Sequence, residues 1–357
     1  MSKNNSSKNI ILSPSNINID DNNINYENKN IFQRNLLNFS KDRKEKELYN
    51  KTGIKEVYQD NFIEEIKNIG ILIDKYNYNY IGMDTEFPGI VYKIKYPTQY
   101  FYFCALKANV DSLKLIQLGI TLTNEKGEYP ENYHTWQFNL KFDKNKDAIN
   151  PDSLSLLEES GIDFDELKNR GINHKLFAEY FMISGLILNP AVTWISFHGS
   201  YDFAYLLRLL LNNNLPNTEK EFMELLDIYF INYYDIRTLV KGNNILQGSL
   251  DKLAKILGVS REGKKHQAGS DSCVTIDLYF KLINNGFIEK EQIINNKNIL
   301  FGINSEEDNK ETINYTINFT NNIPDNSIYT RIQNNFVNVP YFYIMTNNNL
   351  IKSQISA

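Results

Sequence analysis

Asp84 and Glu86, in the string Met83-Asp84-Thr85-Glu86-Phe87-Pro88-Gly89, stand two residues apart at the end of a short apolar run. Side chains two apart on a strand share a face, so a strand here aims both carboxylates at one point. Like charges held that close repel each other unless a divalent cation neutralises them; the plain alternative is a surface strand with two solvated acids. A third acid, Asp202, follows Trp194-Ile195-Ser196-Phe197-His198-Gly199-Ser200-Tyr201, where an apolar strand ends in a Gly-Ser turn and a helix begins. Asp202 then falls in a first helical turn at the carboxyl end of a strand, where ligands bind in α/β folds. An acid there also suits the helix dipole without any further role. In His266-Gln267-Ala268-Gly269-Ser270-Asp271-Ser272 a histidine lies on a predicted loop and an aspartate enters a helix that Gly269 or Ser270 could cap. Both can reach one centre, with His266 free to approach a water; alone, the string also reads as a loop histidine beside a cap-adjacent aspartate.

These segments need a scaffold, and the pattern around them supplies one. Phe62, Ile66, Ile69 and Ile73 recur at helical spacing, with Asn61 and Glu64 resembling a capping box. Strands are predicted over Tyr80–Asp84, Leu113–Thr123, Thr135–Leu140 and Val192–Phe197, with a turn at Lys126-Gly127. Helices are predicted over Ser153–Leu157, Leu176–Leu188, Tyr201–Leu211, Leu250–Leu257 and Ser272–Leu282. Strands first and helices interleaved later indicate an α/β domain, a mixed sheet flanked by helices on both faces. Its expected span is 51–294, and a chain cut to that span is expected to fold and act alone. Residues 1–50 read as a disordered Asn-rich extension, and 295–357 as a second Asn-rich extension with apolar pieces such as Val339–Ile344 that could pack.

The net charge of −5 speaks against broad non-specific binding to nucleic acid, yet an acidic site can hold a few nucleotides if divalent metals stand between carboxylate and phosphate. No apolar run approaches the roughly 20 residues that span a bilayer, and the polar start lacks a signal-peptide core, so an intracellular protein is expected, in the cytoplasm with the nucleus as a further option. Cys104 and Cys273 then read as small core residues.

Taken together, Asp-X-Glu, Asp and His-X4-Asp match the DEDD exonucleases of the histidine subtype. The strings MDTEFPG, NVDSLKLIQLG, NEKGEYP, TWQFN, SFHGSYDF and HQAGSDS further resemble the Caf-one/Pop-two family of poly(A) exoribonucleases, from about Ile54 to Ile283. The resemblance implies an RNase H-like fold and 3′→5′ shortening of mRNA poly(A) tails with release of 5′-AMP. It implies metal ligands at Asp84, Glu86, Asp202 and Asp271, and a general base at His266. It also implies three partners: the 3′ end of poly(A) RNA, the large scaffold subunit of the NOT deadenylase complex, and a second nuclease subunit. Oxygen ligands throughout suit two divalent metal ions, Mg²⁺ or Mn²⁺. Asp84, Glu86 and Asp271 are expected to serve the metal that activates water, with Asp84 bridging to a second metal near Asp202. Two departures stand out: Gly199-Ser200 where the family has Ser-Gly, and the aromatic-rich segment from Tyr96 to Ala108. His198 reads as support for the strand end, and His134 and His174 as surface residues. Phe87 reads as core packing, with stacking on a terminal adenine as its alternative. The competing functions are a non-catalytic scaffold subunit and a DEDD exonuclease acting on another RNA or on DNA.

Overall fold

The computed structural model of the chain describes residues 53–94, 99–303, 316–319, 341–346 and 349–354. The extension over 1–50 lies outside the described residues. A six-stranded sheet forms the centre, in the order β1 (Ile54–Val57), β5 (Thr135–Asn139), β4 (Gln117–Thr123), β2 (Tyr80–Glu86), β6 (Thr193–Ser196), β7 (Tyr233–Asp235). β4 runs antiparallel to both its neighbours, while β1 with β5, β2 with β6 and β6 with β7 are parallel. The fold is thus the mixed sheet flanked by helices that the sequence indicates. Every residue of β4 is buried, as a central strand covered on both faces requires.

Alternation along β2 divides its side chains between two layers. Ile81 and Met83 join a large apolar core with Phe62, Ile66, Ile69 and Ile73 of helix α1 (Phe62–Tyr76). Helix α2 (Gln99–Ser112) contributes Phe103, Leu106 and Val110 to the same core. Two further helices, α5 (His174–Met182) and α6 (Ser200–Leu211), complete this layer with Phe177, Phe181, Phe203 and Leu206. Between α2 and α5 lie the short helices α3 (Pro151–Ser160) and α4 (Phe164–Arg170), and after α6 comes α7 (Glu219–Tyr229). On the other face, α8 (Ile236–Leu239), α9 (Leu250–Leu257) and the long α10 (Ala268–Asn284) build a second core from Ile236, Leu253, Val274, Ile276 and Leu278. Helix α11 (Lys290–Asn295) follows.

Packing does not stop at 294. Leu300 and Ile303 are buried in the first core, and Asn298 binds Tyr233 through its side chain and backbone. The described domain therefore runs beyond the expected boundary. Of the C-terminal extension, β8 (Thr316–Phe319), β9 (Tyr341–Thr346) and β10 (Asn349–Gln354) form a second sheet with β3 (Tyr92–Ile94), in the order β10-β9-β8-β3. The apolar piece near Val339–Ile344 thus falls largely on a strand.

Some local expectations change. Asn61 precedes α1 but makes no side-chain cap; its Oδ1 accepts from Tyr58 N instead, and its amide donates to Glu56 O. α5 ends at Met182, six residues before the expected Leu188, which has a positive φ of 58°. The segment Leu113–Ile116 is not strand, and β4 starts only at Gln117.

Candidate active site

Asp84 and Glu86 lie on the α10 face of β2, opposite Gly119 and Gln117 of β4. Two glycines let α10 come close to them. A Cβ on Gly119 would collide with the backbone of Ala268 and Gly269, and one on Gly82 with Ser272 and Ile276. With hydrogen in place of those Cβ atoms, the first turn of α10 lies against the strands and Asp271 reaches the acids of β2. Glu86, His266 and Asp271 meet closely: one ligand atom from each lies within 4.8 Å of the others. His266 precedes the helix with a φ of 59°, a left-handed conformation that histidine tolerates better than most residues.

Asp202 arrives from the opposite layer, in the first turn of α6. Thr85 points to that layer and its hydroxyl donates to Asp202 Oδ1 at 2.5 Å. The turn before α6 is built by Asp235, which is fully buried and accepts from the backbone N–H groups of His198 and Gly199. Gly199 is needed there because a Cβ would strike Ser196. Ser200 Oγ lies 2.6 Å from Tyr102 Oη of α2. The Gly-Ser order is thus accommodated, and the aromatic-rich segment supports it. His198, with a φ of 63° and its ring edge-on to Phe301, supports the strand end as expected.

Asp84 and Asp202 stand outside the tight group of Glu86, His266 and Asp271, but their charges act on it. Burial, then the charges of Asp202, Asp271 and Glu86, hold the Asp84 carboxyl well above its usual range, with Arg261 opposing. Burial and the charges of Asp271 and Asp202 push Glu86 up to about 8. Burial pushes Asp202 up to about 7 against the Thr85 hydrogen bond, and raises Asp271 against Arg261. Acceptor-only oxygens whose ionisation is this unfavourable without a counter-ion fit a hard divalent cation.

Arg261 is the site residue that motif reading missed. It donates to Asp271 Oδ1, to Ser270 Oγ at 3.0 Å and to Asp251 Oδ1 at 2.6 Å, and Lys265 holds the other oxygen of Asp251 at 2.6 Å. Its only signal was three basic residues, Arg261, Lys264 and Lys265, shortly before His266. His134 and His174 are not surface residues. His134 packs against the Tyr129 ring, tilted by 31° with centroids 4.3 Å apart, and its side chain is 12% exposed. His174 donates from Nε2 to Leu115 O at 3.1 Å, and burial lowers its pKa to about 4. Phe87 stacks on Tyr205 at 4.8 Å, so it packs; it also lines, with Glu86, Ile90, Asn150, Ser153 and Leu156, a cavity of about 370 Å³ beside the acids.

Residues 57–180 match the family model described as CAF1 family ribonuclease. A curated relative, the poly(A) ribonuclease pop2 of Schizosaccharomyces pombe, is 41% identical over 234 residues, covering 64% of this chain and 69% of its own. The S. pombe Pop2p structure in its Mg²⁺- and Mn²⁺-bound form superposes with a TM-score of 0.66 at 38% identity, covering 71% of this chain and all of that one. The yeast NOT1 MIF4G domain co-crystallised with CAF1 gives a match with a TM-score of 0.60 at 29% identity, over 70% of this chain and 96% of that one.

Proposed function

The chain belongs to the CAF1 family of ribonucleases, and on that premise we propose that it shortens mRNA poly(A) tails from the 3′ end, releasing 5′-AMP. The observation that carries this reading is the convergence of Asp84, Glu86, Asp202, Asp271 and His266 at one end of the central sheet, acids from both layers meeting on β2. Asp84, Glu86 and Asp271 are the residues to hold one divalent cation, and Asp202, with Asp84, a second. The metal-bound S. pombe relative supports divalent cations for this chain, and the pair is our extension. When bound, such cations relieve charge on the phosphate oxygens and make water more acidic. His266, within reach of Glu86 and Asp271, takes the proton of the attacking water. Thr85 fixes the rotamer of Asp202 through its hydrogen bond. The cavity floored by Phe87, Ile90 and Leu156 beside Glu86 suits a terminal nucleoside, apolar against the base and polar at Asn150 and Ser153. A NOT-type scaffold, as in the yeast complex, is the partner we extend to this chain, with a second nuclease subunit on the same scaffold.

Substrate choice tests the reading. With Mg²⁺ or Mn²⁺, the full chain is expected to degrade oligo(A) RNA faster than oligo(U) RNA or oligo(dA), and to stall on a 3′-phosphorylated end. Preference for DNA would instead place the chain's activity with the other DEDD exonucleases.

A further inference from the structure

Helix α10 starts without help from its own N-cap residue, since Gln267 makes no side-chain capping bond. Its first free N–H groups are met from the sheet instead. Gln137 Oε1 accepts from Gly269 N at 2.9 Å, and Gln117 Oε1 lies 3.5 Å from Ala268 N, at the limit of a hydrogen bond. A buried amide can show its oxygen to a donor only if its NH₂ group finds an acceptor elsewhere. Following those NH₂ groups leads along two branches to one residue. Gln137 Nε2 donates to Glu56 Oε1 at 2.9 Å. Gln117 Nε2 donates to Asn139 Oδ1 at 2.8 Å, and Asn139 Nδ2 donates in turn to Glu56 Oε2 at 2.7 Å. The strand register makes this possible: Glu56 pairs with Gln137 and Asn139 with Gln117, all on the α10 face. Gln117, Gln137 and Asn139 are each at most 3% exposed, which leaves little room for water to take a missing partner's place. A side contact extends the hold to the loop, because Gln137 Nε2 also lies 3.3 Å from Gln267 Oε1, whose amide donates to Ser160 O at 3.1 Å.

We propose that Glu56 is a positioning residue whose carboxylate, able only to accept, sets the direction of three buried amides so that the oxygens of two of them, Gln137 and Gln117, cap the helix of Asp271, and the Gln137 NH₂ steadies the loop of His266. Both ends of the relay demand the same polarity, because Gly269 N–H can only donate and ionised Glu56 can only accept. With glutamine at 56 that demand is lost at one end. Gln137 can then reverse and set its NH₂ against the Gly269 N–H, donor facing donor. The inference rests on Asp271 and His266 being site residues, so its test needs a readout that does not depend on catalysis.

That test compares the full-length wild type with Glu56→Gln, Gln137→Glu and the double variant. The readouts are hydrogen exchange at the Ala268 and Gly269 amides, calorimetric Mn²⁺ titration, and steady-state cleavage of oligo(A). In Glu56→Gln, exchange at the two amides is expected to quicken by about tenfold or more, the scale of one lost buried hydrogen bond. kcat should fall by a similar factor, with KM unchanged. The double variant restores the polarity. Glutamate at 137 accepts from Gly269 and from the new amide at 56, which still accepts from Asn139, so protection and kcat should recover. Unaltered protection in Glu56→Gln, or loss without recovery in the double variant, overturns the proposal. If Glu56→Gln does not fold, the double variant decides alone: recovered fold and protection support the relay, and failure overturns it. If protection changes as expected while even the wild type leaves oligo(A) intact, the relay stands and the functional reading fails.

Discussion

Asp271 and His266 are five residues apart and within ligand distance of each other, yet they are assigned different tasks, and single substitutions separate them. Removing a ligand weakens metal binding, whereas removing a base leaves it nearly unchanged. His266→Ala is therefore expected to lose about 10²–10⁴ in rate and keep its calorimetric Mn²⁺ affinity. Asp271→Ala should need far more Mn²⁺ or stay inactive; equal loss of affinity in the two variants would make His266 a ligand. The raised carboxyls of Glu86 and Asp202 give a second prediction, for stability in chelator. Their folded pKa values, about 8 and about 7, lie above the ordinary carboxyl range, so the folded state holds more protons than the unfolded one. Stability must then fall as pH rises from about 4.5 to 8, because unfolding releases those protons. Thermal unfolding in EDTA should show that slope, and saturating Mg²⁺ or Mn²⁺ should flatten it; a melting temperature that rises with pH in EDTA would contradict it. The positions of the five motif residues were legible because type and spacing set Asp84 and Glu86 at a strand end, Asp202 and Asp271 in first helical turns and His266 on the loop before one, while their roles rest on the family resemblance. Arg261 was not, since its role comes from the fold bringing it to Asp271, and nothing periodic marks it. His134 and His174 were misread because a lone polar residue defaults to the surface unless its partners, here Tyr129 and the Leu115 carbonyl, are known.

The elements succeed or fail by how close they can come. Gly119→Ala should displace the first turn of α10, because the added methyl meets the Ala268 backbone, which cannot yield as a flexible side chain could. Overpacking of this kind costs about 1–3 kcal/mol, and at about 2–4 °C per kcal/mol the melting temperature should drop by several degrees. Activity should fall by about 10²-fold, the scale of an ångström's misplacement of catalytic groups. Wild-type melting and activity in Gly119→Ala would show that α10 need not lie so close. Long amphipathic elements were readable: α9 has the expected bounds, and α6 begins one residue before its predicted start. Helix α2 was missed because its sequence shows no amphipathic periodicity, and tertiary packing of Phe103, Leu106 and Val110 makes it a helix. The edge strands β1 and β7, of four and three residues, are too short to show alternation, yet they carry Glu56 and Asp235.

At the scale of the whole molecule the sequence placed the domain's end too early. Leu300 and Ile303 fill the core and Phe301 N donates to Asp235, the residue that shapes the turn before Asp202. A chain ended after Ile294 should lose about 3–6 kcal/mol from two buried aliphatic side chains, and with it most activity. One ended after Ile303 should melt near the full-length protein and cleave. Equal behaviour of the two would return the boundary to 294. Composition hid this segment, since 298–303 lies inside an Asn-rich stretch and only its contacts distinguish it. The central claim, that the gathered acids remove adenosines one by one from a 3′ end with divalent metal, meets its most direct test in one gel. Purified full-length protein and its Asp84→Ala variant, both shown to be folded, are incubated with 5′-labelled oligo(A) with and without Mg²⁺ or Mn²⁺. The expected result is a ladder of products shortened one nucleotide at a time from the 3′ end, seen only for the wild type and only with metal. Internal cleavage, metal-independent shortening, or full activity in folded Asp84→Ala would contradict it.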